Sequence, residues 1–337
     1  MSIALRNTLL LVAAALLAVT AVAQSVPSGH AAARPVHHYV FFAEERERIS
    51  EPSFLKTKAF EGAQIKYTWR ELEPQKDQYD FGDIEHDLAY LQAKGKRLFI
   101  QLQDSSFDVK ILPFPRYLLQ DPAYHGGADK QINETDNAPD GSISRRWDKS
   151  VQERYQRLLL ALGREFDGRI EGINLPETAI DLGVDQRLWP KGFTPEIYCQ
   201  AIVANLVALK RAFPKSVTLE YANFMPGDKR YLERVCQRAQ ELKVGLGGPD
   251  LLPYRPAQMW SSYPLIRRYA GSVPTGIAVQ DGNYEDKDRT TGRQVTIADL
   301  LSFATEYLGV DYVFWCTQEP YFSQQLVPFL QHDAQRP

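Results

Sequence analysis

Two carboxylates in this chain come after apolar, strand-like segments. Residues 170–175 are predicted to form a buried strand, and Pro176 and Glu177 follow them directly. Proline has no backbone N–H for a sheet and forces the residue before it into extended geometry, so the strand should stop at Leu175. Asp281 comes two residues after a second apolar segment, residues 274–279. Two facing carboxyl groups, one a proton donor and the other a nucleophile or base, are the groups that cleave glycosidic bonds.

Histidine is scarce wherever a reactive site would need it. The six histidines are His30, His37, His38, His86, His125 and His332. Only His125 lies in a loop that could reach a site at the strand ends. A Ser-His-Asp triad or a histidine-rich zinc site therefore lacks its residues. Neither a Walker loop nor a G-x-G-x-x-G fingerprint is present. The sequence favours carboxylate chemistry that uses no metal and no cofactor.

Other polar and aromatic residues end the remaining predicted strands. Carboxylates that could replace Asp281 as the second group are Asp104, Glu220, Asp250 and Glu319. Trp69 and Trp315 could stack on sugar rings, and for Trp69 core packing is an equal alternative. Side-chain amides suit sugar hydroxyls. Substrate binding is predicted for Trp69, Gln103, Asp104, Asn174, Glu220, Asn223, Asp250, Gln280 and Trp315.

The elements that would position these residues alternate along the chain. Eight apolar, strand-like segments alternate with eight segments of helical periodicity, and no change in composition marks a domain boundary. The pattern predicts an α/β fold, a single (β/α)8 TIM barrel over residues 36–337. Active sites of such barrels lie at the carboxyl ends of the strands. A doubly wound sheet is the alternative, but its dinucleotide fingerprint is missing.

Two local features of the barrel region carry further expectations. The connection after the third predicted strand, residues 105–149, is too long for a simple link, so it should be functional or mobile. The segment over residues 194–214 is predicted to be a helix whose two ends are indicated by its own sequence. Thr194 is predicted to be its N-cap with Pro195 in the first turn, and Pro214 should stop it.

The first 35 residues have the composition of a targeting segment and a linker. An arginine precedes an apolar stretch, and Ala21 and Ala23 form an A-x-A cleavage pattern, so residues 1–23 are predicted to be a secretory signal peptide. Residues 24–35 would be a polar linker. The mature protein is expected to be secreted or periplasmic, without membrane insertion. The net charge of −3 and the lack of a basic patch argue against nucleic acid as a partner.

The segment from Tyr67 to Gln101 resembles a known group of enzymes. Its sequence, YTWRELEPQKDQYDFGDIEHDLAYLQAKGKRLFIQ, is similar to the region between strands two and three of clan A glycoside hydrolases, such as the family 42 β-galactosidases. Residues 114–173 resemble the loop and helix that precede strand four in those enzymes. The resemblance implies a (β/α)8 barrel that acts on carbohydrate.

The catalytic residues of that family are matched in part. The family places an acid/base glutamate at the end of strand four, directly after an asparagine, whereas two residues separate Asn174 from Glu177 here. It places a nucleophilic glutamate at the end of strand seven, where this chain has Gln280 and Asp281 and no glutamate until Glu285. Trp315 fits the tryptophan that floors the sugar site in those enzymes.

These observations together predict an exported glycoside hydrolase that cleaves a polysaccharide or oligosaccharide. Glu177 would be the general acid/base and Asp281 the nucleophile or base. A separation of ~5 Å between their carboxyl groups would give retention of configuration, and ~6.5–9.5 Å would give inversion. Two alternatives stay open: a carbohydrate-binding barrel without hydrolytic activity, and a transglycosylase that uses the same residues.

Overall fold

The computed structural model describes residues 35–43 and 45–333. The predicted signal peptide and all but the last residue of the predicted linker lie outside these residues, so those two predictions stay predictions. Within the described residues, no helix is long and apolar enough to cross a membrane.

Eight parallel strands close into a barrel, which confirms the predicted (β/α)8 fold. Around the barrel the strand order is β1-β2-β3-β7-β8-β9-β10-β11, and β11 pairs with β1. Among the described residues, strands outside the barrel occur only between β3 and β7. The barrel strands are β1 (His37–Phe41), β2 (Phe60–Thr68), β3 (Arg97–Gln103), β7 (Gly172–Leu175), β8 (Val217–Tyr221), β9 (Gly245–Gly248), β10 (Thr275–Val279) and β11 (Tyr312–Cys316).

Helices follow the barrel strands along the described chain. The α-helices are α1 (Pro52–Leu55), α2 (Trp69–Leu72), α3 (Gly82–Ala93), α4 (Tyr117–Gln120), α5 (Lys149–Phe166), α6 (Pro195–Ala212), α7 (Lys229–Leu242), α8 (Pro256–Trp260), α9 (Ser262–Tyr269), α10 (Ile297–Ser302) and α11 (Val327–Asp333). Short 3₁₀ helices cover Arg46–Ser50, Pro122–Tyr124, Gln186–Leu188 and Asn283–Glu285, and π-helical turns cover Phe303–Leu308 and Phe322–Leu326.

Helix α6 begins where its sequence predicts. The side chain of Thr194 accepts a hydrogen bond from the backbone N–H of Ile197, and Pro195 is the first helical residue. The helix ends at Ala212, two residues before Pro214. Proline at the first position has no N–H to leave unsatisfied, which is why the two signals occur together.

The long connection after β3 contains a small antiparallel sheet. Its strands are β4 (Ser105–Ser106), β5 (Ala128–Ile132) and β6 (Pro139–Ser144), in the order β4-β6-β5. The sequence of this region lacks the alternation of a half-buried strand, and its glycines and prolines predict a loop. The sheet continues directly from β3 past Asp104, so it forms a wall on the carboxyl-end side of the barrel.

The barrel interior changes character from one end to the other. At the amino ends of the strands, the rings of Tyr39, Phe99 and Phe314 pack together, with centroids 4.9–6.1 Å apart. Nearer the carboxyl ends, Gln64 Nε2 donates to Asn174 Oδ1 and to the Tyr221 hydroxyl, both at 2.9 Å. Below that network the barrel is filled by these buried aromatic rings.

The three cysteine thiols are free and buried. Cys199 Sγ accepts a hydrogen bond from Arg234 Nε at 3.1 Å, and no disulfide joins it to Cys236. The barrel is therefore stabilised by its packing and not by a covalent crosslink.

Candidate active site

A cavity of about 720 Å³ opens at the carboxyl ends of the barrel strands. Its floor consists of strand residues and of two residues directly after strands: Phe41, Lys66, Thr68, Gln101, Gln103 and Tyr221, with Pro249 and Gln280. Its wall consists of residues from the connection after β3, with Arg70, Glu71 and Glu177 completing the lining. This is the end of the barrel at which the sequence predicts a site.

Glu177 lies in this cavity, one residue beyond the proline that follows β7. Arg146 Nη1 donates to the backbone carbonyl of Glu177 at 2.8 Å, and the N–H of Thr178 donates to the carbonyl of Tyr221 at 2.9 Å. These two bonds hold the peptide unit between Glu177 and Thr178 after the chain leaves the sheet. Because Pro176 ends the strand, the side chain of Glu177 can enter the cavity.

Asn223, beyond the end of β8, holds the carboxyl group of Glu177. Its Nδ2 donates to Glu177 Oε2 at 2.5 Å. Its Oδ1 accepts the backbone N–H groups of Ala179 and Phe224 at 3.1 and 2.9 Å. Backbone N–H groups can only donate, so they determine which end of the amide faces them. The NH2 end of Asn223 must therefore point at Glu177.

The protonation of Glu177 is shifted towards neutral pH. Burial raises the pKa of Glu177 to about 7. The hydrogen bond from Asn223 and the charge of Arg146 act in the opposite direction, whereas the nearby charges of Asp250 and Asp181 raise the pKa further. A carboxyl group that keeps its proton near pH 7 can act as a general acid.

Arg146 and Asp104 form a buried ion pair behind the cavity. Arg146 Nη2 lies 2.5 Å from Asp104 Oδ1, and the two side chains are 4% and 0% exposed. Ser144 Oγ also donates to Asp104 Oδ2 at 2.5 Å. The sequence predicts that Asp104 contacts substrate. In the structure both of its carboxylate oxygens accept hydrogen bonds from Arg146, and one also accepts from Ser144. Its place is to support the arginine that holds Glu177.

Asp250, after β9, is the carboxylate whose charge acts most on Glu177. Burial raises the pKa of Asp250, and a hydrogen bond from Asn283 Nδ2 to its Oδ1, 3.1 Å long, opposes that rise. Asn283 Oδ1 in turn accepts the N–H groups of Gln280 and Leu251 at 3.1 and 3.0 Å. One asparagine therefore ties the ends of β9 and β10 together.

The other predicted carboxylates lie elsewhere. Asp281 is exposed in the turn after β10 and is not among the residues that line the cavity, whereas its neighbour Gln280 is. Glu220 is buried between the barrel and the helices. Burial raises its pKa to about 8. Glu319 is exposed and accepts a hydrogen bond from Ser323 Oγ at 2.6 Å.

Neither predicted tryptophan lines the cavity. Trp69 is fully buried, its Nε1 donates to Glu73 Oε2 at 2.8 Å, and its ring meets Tyr155 edge-on. Trp315 is also fully buried, and its Nε1 donates to His38 Nδ1 at 3.0 Å. Both belong to the core. The expectation that they stack on sugar rings finds no support in their position.

The aromatic surfaces of the cavity come from residues that the sequence did not single out. Phe41, Phe107 and Tyr221 line it, and Phe107 is 46% exposed. Phe107 lies in the connection after β3, where no periodicity indicates which way a side chain points. Phe41 and Tyr221 could have been found from strand alternation, because each is the last residue of its strand and faces inward.

Of the predicted site residues, the structure brings Glu177, Gln103, Gln280 and Asn223 together at one cavity. Asn174 lies one layer below, in the network with Gln64 and Tyr221. Within residues 35–43 and 45–333, no three His, Cys, Asp or Glu side chains are placed to hold a metal ion.

Comparisons by sequence identify no relative. No family model matches this chain, and no curated protein matches it either. The likeness to the family 42 β-galactosidases therefore stays a prediction.

Comparisons by structure find glycoside-cleaving enzymes. Exo-β-1,4-mannosidase Op5Man5 from Opitutaceae bacterium strain TAV5 matches with a TM-score of 0.52 and 14% identity, over 91% of this chain and 61% of that one. A β-galactosidase from Rahnella sp. R3 matches with a TM-score of 0.50 and 11% identity, over 85% of this chain and 51% of that one. Xylanase 10B from Thermotoga petrophila RKU-1 has a TM-score of 0.49 at 14% identity, over 83% and 82%. At such identities the likeness shows the (β/α)8 fold alone, and this chain spans about half to three fifths of the mannosidase and galactosidase.

Proposed function

We propose that this protein is a glycoside hydrolase whose general acid/base is Glu177. The observation that carries the proposal is a carboxyl group in the cavity at the carboxyl end of the fourth barrel strand, with a pKa of about 7. A carboxyl group with such a raised pKa can hold its proton near pH 7 and transfer it to a leaving glycosidic oxygen. Exported action on a polysaccharide or oligosaccharide remains part of the proposal.

Two carboxylates compete for the second catalytic role. The sequence points to Asp281, which is exposed in its turn, and neither Asp281 nor Asp250 is among the residues that line the cavity. We favour Asp250, because its charge acts on Glu177 and because Asn283 orients its carboxyl group. The second group would attack the anomeric carbon, which retains configuration, or activate a water molecule, which inverts it.

Positioning in the proposed reaction falls to the neighbours of Glu177. Asn223 would hold the carboxyl oxygen that does not carry the proton, and its bond would strengthen as Glu177 loses the proton. Arg146 would keep the peptide of Glu177 in place through its carbonyl. Gln103 and Gln280, which line the cavity, would bind sugar hydroxyls.

The test is the release of reducing sugar from a panel of neutral and acidic polysaccharides by four proteins beside the wild type. Glu177→Gln should abolish release while binding persists, since the amide can still accept from Asn223. Asp250→Asn should be as damaging, and Asp281→Asn mild. Glu153→Gln is the matched control, because Glu153 is exposed on α5, away from the cavity.

Other results would redirect the assignment. A severe loss in Asp281→Asn with a mild loss in Asp250→Asn would return the second role to Asp281. Binding without any cleavage by the wild type would favour the carbohydrate-binding barrel, and longer oligosaccharide products would favour a transglycosylase. Full activity of Glu177→Gln would contradict the proposal.

A further inference from the structure

The wall of the cavity next to β2 carries cationic side chains. Lys66 is an inward residue of β2, and Arg70 and Lys110 line the same cavity from α2 and from the connection after β3. In the barrel β3 separates β2 from β7, so two strand spacings, about 10 Å, separate this wall from the strand that precedes Glu177. The cations therefore address a different part of a bound ligand from the part that meets the acid.

Arg70 is held in place by its backbone, and this leaves its guanidinium for a ligand. Thr68 caps α2, with the Glu71 side chain and the Thr68 backbone and hydroxyl forming a capping box. The N–H of Arg70 donates to the carbonyl of Pro113 at 3.1 Å, which joins α2 to the cavity wall. Arg70 is half-buried, and its side chain forms no ion pair or hydrogen bond with another described residue.

Lys110 shows the same arrangement in the facing loop. Its backbone N–H donates to Asp108 Oδ1 at 2.8 Å, while its ammonium group forms no ion pair among the residues that the structure describes. The two carboxylates of this wall are partly engaged: Glu71 Oε2 accepts the N–H and the hydroxyl of Thr68, at 2.7 and 2.8 Å, and Asp108 accepts from Lys110 N. Neither carboxylate neutralises Arg70 or Lys110 through a direct contact.

In the floor beside these cations, one buried hydrogen-bond acceptor has no donor among the described residues. Gln101, inward on β3 and opposite Lys66, is 5% exposed and lines the cavity. Its Oε1 has no hydrogen-bond donor within the described part of the chain. A buried acceptor without a donor is costly, and a sugar hydroxyl would satisfy it.

We infer that the cavity takes an acidic glycan, one whose sugar carries a carboxylate or sulfate group bound by Arg70 and Lys110. The inference rests on the proposed function, since it names the substrate class of the same cavity. The planar guanidinium of Arg70 can bind either anion through two parallel N–H groups, and Lys110 adds a point charge. Glu177 then meets the glycosidic bond in the part of the cavity next to β7.

The test measures binding and cleavage separately, on matched polymers. Binding of polygalacturonate is compared with binding of its methyl ester, which removes the charge and keeps the sugar and the linkage. A sulfated galactan is compared with its desulfated form in the same way, so the two arms distinguish carboxylate from sulfate. The wild type should bind one charged polymer at least about tenfold more tightly than its neutral form, as expected for charge-assisted hydrogen bonds.

Three variants locate the effect. Arg70→Gln and Lys110→Gln should each lose most of the preference for the charged polymer. Arg164→Gln removes the same charge from an exposed position in the last turn of α5, and it should keep the preference. Melting temperatures check that the variants fold. Lys110 is an exposed loop residue, so its variant remains informative if Arg70→Gln is unstable.

Each outcome bears on one proposal or the other. Equal binding of charged and neutral polymers overturns the acidic-glycan inference, and so does an Arg164→Gln loss as large as that of Arg70→Gln. Cleavage of neutral polymers alone overturns it too but keeps the glycoside hydrolase. Selective binding of a charged polymer that depends on Arg70, without cleavage of any polymer, supports the acidic ligand and contradicts the hydrolase.

Discussion

Glu177 lies just beyond barrel strand β7 and Glu220 lies within the neighbouring strand β8, and the two acids are on opposite sides of the barrel wall. Glu177 enters the cavity beyond β7, whereas Glu220 is buried between β8 and the helices. Burial raises the pKa of both groups, to about 7 and about 8. Glu177 has Asn223 as a hydrogen-bond partner, but Glu220 Oε2 has none among the described residues. A raised pKa alone therefore does not mark a catalytic group.

The side of the wall follows from strand register. Glu220 pairs with Leu175 in the β7–β8 ladder, and both face outward because the next residue, Tyr221, faces the cavity. Glu177 escapes this alternation because β7 ends at Leu175, before the proline. Within a strand, the alternation of side chains determines which face of the sheet an acid occupies. Beyond the end of the strand this constraint no longer applies.

The largest expected effect separates the two acids by activity. Glu177→Gln should lower kcat/KM by about 10²–10⁴-fold, the range that a general acid contributes. Glu220→Gln should keep kcat/KM within a few-fold, since its side chain does not reach the cavity. Steady-state kinetics on the best substrate of the panel gives both values, and equal losses in the two variants would abolish the distinction drawn here.

Loss of the buried ion pair between Arg146 and Asp104 should strongly lower the free energy of unfolding. The charge of Arg146 lowers the pKa of both glutamates, and the charge of Asp104 raises that of Glu220. Asp104→Asn leaves the buried Arg146 guanidinium without its counter-ion, so the free energy of unfolding should fall by about 3–5 kcal/mol. Urea denaturation measures the loss. Asp185→Asn, in the exposed pair with Arg187, is the control and should leave the midpoint nearly unchanged.

The dependence of stability on pH should report Glu220. A carboxyl group whose pKa is raised in the folded state holds its proton there more tightly than in the unfolded chain. Its contribution is therefore present below the unfolded pKa, near 4.5, and is lost as pH rises towards about 8. Relative to the wild type, Glu220→Gln should gain stability between pH 5 and pH 8, by on the order of a few kcal/mol. A parallel pH dependence in both proteins would contradict this.

The smallest expected effect concerns the pH profile of the proposed reaction. The bond from Asn223 stabilises the charged form of Glu177 and so lowers its pKa. Asn223→Ala removes that bond, so the pKa should rise and the basic limb of the kcat/KM profile should move to higher pH. The rate should fall by about tenfold as well, because the carboxyl group loses its support. Glu220→Gln should leave the limb in place.

Much of the barrel could be predicted from local patterns. Apolar strands that alternate with helices gave the correct fold, and the Thr194–Pro195 pair located the start of α6. The sheet after β3 was missed, because its strands lack alternation and pair only with each other. Trp69 and Trp315 show that strand position does not predict where a side chain packs. Each lies near the carboxyl end of a strand, and each is buried in the core.

The sequence by itself determined that a barrel forms and that Pro176 releases Glu177 at the carboxyl end of a strand, since both depend on residues close together in the chain. Only the tertiary structure decided that Arg146 holds Glu177 and Asp104, that Asn223 orients the carboxyl group, and that Glu220 faces the helices. Arg146 belongs to a long connection and Asn223 to the next strand's end. Their contacts arise from strand register and loop packing, which local periodicity does not specify.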